Sequence, residues 1–137
     1  MCVIAILPKG QSINDSVVTA MYEHNSDGSG IAYVKRGKVH VVKGIWSLAK
    51  TIKILRAVEK VAETDILFHL RIGTHGNKKH ITNCHPFRLS NELAMAHNGM
   101  LGQVPSFVDK DKSDTWYLAE VFKYHFEPND LLNRLVN

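Results

Sequence analysis

No apolar run in these 137 residues approaches the roughly 20 that a membrane-spanning helix needs. The opening stretch MCVIAILPKG has no basic segment ahead of its apolar residues, and Pro8 cuts the run short, so it does not read as a secretory signal. Cysteine is scarce. Cys2 and Cys84 are the only two, too few for a disulfide framework. These absences together predict a cytoplasmic protein whose thiols stay reduced, with no membrane partner. Internal repeats and low-complexity linkers are missing too, which predicts a single domain over residues 1–137. A strong charge bias is also lacking. The net charge of +4 is no nucleic-acid signature, and the densest basic spot, Lys78-Lys79-His80, reads as a solvated loop. What the chain does have is an ordinary globular mix, 45% hydrophobic and 22% charged, and eight histidines. Five of those (His69, His75, His80, His85 and His97) fall within one third of the chain.

Hydrophobic patterning predicts strands and helices that interleave without a regular βαβα alternation, hence an α+β architecture. Val3–Leu7 reads as a buried strand closed by Pro8-Lys9-Gly10. Asn14 or Asp15 caps a helix running to about Tyr22. Asn25–Gly30 is a dense turn cluster. Ile31–Val34 and Val39–Val42 flank Lys35-Arg36-Gly37-Lys38 as a hairpin. Ser47 caps a helix whose apolar stripe is Leu48, Ile52, Leu55, Val58 and Val61. Asp65–Ile72 is a strand entering a polar loop over Gly73–Asn83. Leu93–Ala96 is a short strand running into His97-Asn98-Gly99. Ser113 precedes a helix with Leu118, Ala119, Phe122 and Phe126 on one face, and Leu131–Val136 forms a last helical turn.

Cys2 poses a chemical question. Directly behind Met1 at the head of a strand, it reads as a small buried residue. If Met1 is removed, however, a thiol and a free α-amine share one residue. With unperturbed pKa values of about 8.5 and 7.7–8, that residue supplies both nucleophile and base. Other polar stretches sit at predicted element ends: His69–Gly76, His97-Asn98-Gly99 and Ser113-Asp114-Thr115. Each has a plain structural reading, as a surface charge, a turn and a helix cap respectively. Together they are a set of parts. The Asn98 amide and the Gly99 N–H are donors suited to an oxyanion. Arg71 suits a carboxylate and Asp114 an ammonium, so the parts fit amide hydrolysis on the side chain of a free amino acid, glutamine or asparagine.

In motif order, the chain resembles the class II glutamine amidotransferases, whose catalytic domains are N-terminal nucleophile hydrolases. The resemblance rests on Met1-Cys2, the turn Asp27-Gly28-x-Gly30, and His69-Leu70-Arg71-Ile72-Gly73-Thr74-His75-Gly76. It continues through Asn83-Cys84-His85-Pro86-Phe87, His97-Asn98-Gly99 and Ser113-Asp114-Thr115. It implies an αββα layered sandwich, here as a minimal or C-terminally incomplete version similar to short phage-encoded members. It also implies that Cys2 attacks the side-chain amide of free glutamine, releasing ammonia through a glutamyl thioester. Asn98 and Gly99 would form the oxyanion hole. Arg71 would hold the substrate carboxylate, Asp114 its ammonium, and Thr74 and His75 would line the pocket, with His97 in a supporting role. No cofactor and no metal enters this chemistry.

The chain departs from the family pattern in several places. Val3 stands where the family commonly has glycine, and Trp116 where it often has an acidic residue. Family domains continue with more strands beyond the Ser-Asp-Thr helix, and no acceptor (synthase) domain is recognisable, so the ammonia acceptor is unassigned. Two rival readings remain. One is a catalytically silent binding module on the same fold. The other is a metal site drawn from Cys84 and the clustered histidines.

Overall fold

The computed structural model describes residues 1–73, 77, 79–101 and 109–125. It is mixed α+β. Four strands form one antiparallel sheet in the order β1-β4-β2-β3, where β1 is Val3–Leu7, β2 Ser29–Lys35, β3 Lys38–Ile45 and β4 Ile66–Leu70. Helices α1 (Asp15–His24) and α2 (Leu48–Glu59) pack on one face. A two-stranded ladder of β5 (Phe87–Arg88) and β6 (Ala94–Met95) and a third helix, α3 (Asp114–His125), lie toward the other. The predicted last turn at 131–136 lies outside the described residues, as does Phe126. Among the described residues no helix is long and apolar enough to cross a membrane.

Alternation along the strands sets the two faces. In β4, Ile66, Phe68 and Leu70 point into a core completed by Leu7, Ile31, Val18 of α1, and Leu55 and Val58 of α2. Each such burial contributes about 1.5–3 kcal/mol of hydrophobic stabilisation. The α2 stripe follows the predicted spacing, and Ser47 Oγ accepts the Lys50 N–H as its cap. Val61 falls beyond the helix and is exposed. Asn14 occupies the N-cap of α1, but its side chain makes no cap hydrogen bond. The two helices are tied by Arg56, whose guanidinium meets Asp15, Glu59, Ser12 and the Ile13 carbonyl.

The hairpin β2–β3 turns at Arg36-Gly37, as the sequence predicts. The turn cluster before it ends earlier than expected, because Ser29 and Gly30 already belong to β2, paired with Leu70 and His69. Gly30 has no side chain for a reason of space. A Cβ there would lie 1.9 Å from the His85 carbonyl oxygen and 2.9 Å from Lys43 Cβ. The segment carrying His85 therefore crosses the sheet in direct contact with the β2 backbone. Because the nearest obstacle is backbone, Gly30→Ala is expected to lose about 3 kcal/mol or more of stability, the upper range for overpacking. The midpoint of urea unfolding measures it, and an unchanged midpoint would mean that the second layer is not seated on Gly30.

Candidate active site

The site forms where β1 begins and β4 ends. Val3 pairs with Leu70, so the residue before one and the residue after the other, Cys2 and Arg71, are neighbours at the same sheet end. Cys2 Sγ donates a weak hydrogen bond to the Ile72 carbonyl at 3.5 Å. The turn at Asp27-Gly28 fixes this exit. Asp27 N–H donates to the Arg71 carbonyl at 3.0 Å, and Arg71 N–H donates to the Gly28 carbonyl at 2.8 Å. The Asp27 carboxylate accepts the Gly73 N–H at 2.8 Å. The Asp-Gly-x-Gly turn thus acts on the site by holding the backbone that carries Arg71.

The opposite wall comes from the second layer. Cys2, Arg71, Ile72, His85, His97, Gly99, Ser113, Asp114 and Thr115 line one cavity of about 20 Å³, room for a single water rather than an amino acid. Of the predicted site residues, Cys2, Arg71, Gly99 and Asp114 therefore meet. Asn98 is exposed, and its Nδ2 donates to the backbone carbonyl of Cys2 at 2.8 Å, so it is tied to the Cys2 backbone. Gly99 has φ near 150°, a conformation that L side chains rarely adopt. Thr74 and His75 lie outside the described residues.

Helix α3 delivers Asp114. The cap of this helix is Ser113, whose Oγ accepts the Trp116 N–H at 3.1 Å, and not Asp114. The Asp114 carboxylate accepts N–H groups from Leu101 at 2.8 Å and Thr115 at 2.7 Å. The start of α3 is held by Asn83, a fully buried residue with no role assigned from sequence. Its Oδ1 accepts the Ser113 N–H at 2.8 Å, and its Nδ2 donates to the carbonyls of Asn77 and Asp111.

Behind the cavity lies a buried pair of imidazoles. His69, on the β4 face opposite the helices, packs against His85 with ring centroids 4.2 Å apart and ring planes tilted by 31°. The His97 N–H donates to His85 Nδ1 at 3.2 Å, and His97 Nδ1 lies 3.3 Å from Thr115 Oγ1. Among the described residues neither ring nitrogen of His69 makes a full hydrogen bond, though the His97 N–H lies close enough to act on the ring. Burial first, and the Arg71 charge second, hold the His69 pKa down to about 4, opposed by the His97 amide. Burial, then its cationic and imidazole neighbours, push His85 down to about 2. Both rings are neutral at pH 7.

The sequence offers both members of this pair as motif residues and as ligands of the rival metal site, and neither as part of the glutamine site. Position 69 shows its inward face only through strand alternation, and position 85 only through the crossing at Gly30. Among the described residues, no group of three or more His, Cys, Asp or Glu side chains gathers as it would around a metal ion. Cys84, the other candidate ligand, is buried, with Sγ 3.8 Å from the His80 carbonyl. Compared with models of protein families, with curated proteins and with solved structures, the chain finds no match.

Proposed function

We propose that this chain is a glutamine-hydrolysing domain of the class II amidotransferase type, with Cys2 as its N-terminal nucleophile once Met1 is removed. One observation carries the reading. Cys2, Arg71, Gly99 and Asp114, from four separate stretches of sequence, converge on one cavity, and the Asn98 side chain reaches the Cys2 backbone. The order of layers, a helix pair, a four-stranded sheet, a small ladder and a third helix, suits an αββα sandwich of the N-terminal nucleophile hydrolase kind.

In this reading the α-amine of Cys2 takes the thiol proton, and Sγ attacks the side-chain amide carbon of glutamine. The carbonyl electron pair moves onto oxygen, where the Asn98 amide and the Gly99 N–H stabilise it. Asn98 has two Nδ2 protons, so one can serve the oxyanion while the other stays on the Cys2 carbonyl. As the C–N bond breaks, the nitrogen leaves as ammonia with the proton held by the amine. Water then attacks the glutamyl thioester, with the same amine as base, and glutamate departs. The Arg71 fork holds the α-carboxylate, and Asp114 the α-ammonium. The cavity must widen to admit the substrate.

The test is ammonia and glutamate release from free glutamine, with Cys2→Ala as the control. The narrow cavity favours one second reading, a binding module without turnover. Glutamine binding with no release, equal in the wild type and the control, would establish it. Two further variants probe the assigned roles. Asn98→Ala is expected to lower kcat about 10²–10³-fold with little change in KM, because the lost donor acts on the transition state. A variant that merely unfolds more easily, with kcat per folded molecule intact, would remove Asn98 from the oxyanion hole. Arg71→Lys is expected to raise KM for glutamine and to leave analogues without the α-carboxylate nearly unaffected, since lysine lacks the planar fork. The same penalty on every substrate would make Arg71 structural.

A further inference from the structure

A second concavity, of about 550 Å³, runs along the outer edge of β3, away from the Cys2 cavity. It is lined by Val41, Val42 and Lys43 of β3 itself, by Phe87 and Arg88 of β5, and by Trp116 and Lys123 of α3, among others. Consecutive strand residues point to opposite faces. A groove that touches three in a row therefore follows the strand's edge and not one face of the sheet.

Among the described residues that edge is open: β3 is the last strand of its sheet, with β2 as its only ladder partner. The outward direction is marked by Val39, whose N–H leaves the ladder and donates to the Asn91 carbonyl at 2.7 Å. By the alternation of antiparallel pairing, Val41 and Lys43 present their N–H and C=O groups the same way. Neither makes a backbone hydrogen bond outside the ladder among the described residues. Among the described residues, the β5–β6 connection thus covers the edge at Val39 and leaves the next two outward positions uncovered.

The described residues that line the groove carry charge of one sign, with the acidic Glu120 close enough to act on Lys43. Lys43, Arg88 and Lys123 line the groove, and none of its described lining residues is acidic. Lys123 is paired with Glu120 at 2.6 Å. Lys43 is not paired. Its half-buried ammonium sits 4.3 Å over the Phe87 ring, with no hydrogen bond or ion pair among the described residues. Burial lowers its pKa to about 8, with Cys84 and Glu120 opposing the shift and Lys123 adding to it, so it still carries a charge at neutral pH with the Phe87 ring as its direct contact.

We infer that this groove docks an extended acidic segment of a partner protein, which adds as a strand to the β3 edge at Val41 and Lys43 and places a carboxylate on the Lys43 ammonium. Backbone pairing supplies affinity, and the cations select the acidic side chains. This surface is independent of the chemistry at Cys2.

The test uses the full chain and a capped, fluorescently labelled peptide alternating glutamate and valine. Binding is expected to shift the amide resonances of Val41 and Lys43. It is expected to weaken about tenfold or more in Lys43→Gln, the scale of one lost charge-assisted hydrogen bond. Peptides N-methylated at the pairing positions, or with lysine replacing glutamate, should not bind. Lys123→Gln provides a second loss of charge on a different element should Lys43→Gln fold poorly, and it should weaken binding in the same direction. No binding by the wild type would overturn the proposal. So would binding that survives N-methylation, or binding indifferent to both lysine variants. Two copies pairing through the same amides, or a mononucleotide shifting them as strongly as the peptide, would assign the groove to another occupant and equally overturn it.

Discussion

Protein that keeps residues ahead of Cys2 is expected to hydrolyse glutamine about 10²–10⁴-fold more slowly than protein that begins at Cys2, the usual range for losing a general base. The argument follows from what surrounds the thiol. With Met1 attached, the Cys2 nitrogen is a peptide amide and accepts no proton. The group that Cys2 Sγ meets is the Ile72 carbonyl, which receives a hydrogen bond but cannot take the proton away. Of the imidazoles lining the cavity, His85 has its pKa pushed down to about 2 and spends Nδ1 on the His97 amide, so it is a poor base. Met1 is 94% exposed and therefore accessible to removal. A variant with a cleavable extension before Cys2 allows the comparison in one preparation, with intact mass confirming the new N-terminus. Cleavage should restore the rate. Equal activity before and after cleavage would exclude the α-amine as base. Inactivity in both forms would refute glutamine hydrolysis itself.

Local chemistry made much of this molecule legible in its sequence. The expected strand Val3–Leu7 coincides with β1 because its apolar run is short and Pro8 ends it. The hairpin around Arg36-Gly37 follows from β-rich flanks and a two-residue turn, and α2 from a regular stripe behind Ser47. The site was readable as a set of residue types, since a thiol, an amide, a guanidinium and a carboxylate declare their chemistry by identity. Their convergence was not readable. It depends on the β1–β4 register, which puts Cys2 beside Arg71, and on Asn83, which anchors the start of α3 from thirty residues away through Ser113. The strand β5 was missed because two residues carry no periodicity. Its neighbour His85 is legible only as a member of the Asn83–Phe87 motif and of the histidine cluster, while its position is set by contact with Gly30 in another layer. The open edge of β3 is likewise a property of sheet order, and no local pattern reports it.

Acid is expected to unfold this protein well before its carboxylates are all protonated, and the buried imidazole pair is the reason. His69 is fully buried, His85 nearly so, and the folded chain holds both neutral, with pKa values of about 4 and about 2. In the unfolded chain each would titrate near 6.5. The sign follows directly. Above pH 6.5 both states carry neutral rings, and the pair's contribution to stability is fully present. As the pH falls below 6.5 the unfolded chain binds two protons that the folded chain refuses, so stability drops by about 1.4 kcal/mol per pH unit for each histidine. By pH 5 the combined loss is about 4 kcal/mol, a large share of a typical domain's 5–15 kcal/mol. Below pH 4 the His69 share levels off, because the folded state then takes its proton, while the His85 share continues toward pH 2. His69, Arg71 and Lys43 add repulsion to any charge on His85. Urea unfolding at a series of pH values from 7.5 to 5 measures the slope. His69→Phe keeps a ring against His85 but removes one titrating group, so its slope should fall by about half. A wild-type stability that is flat between pH 6.5 and 5, or a slope unchanged in His69→Phe, would show that the pair is not what makes the fold acid-sensitive.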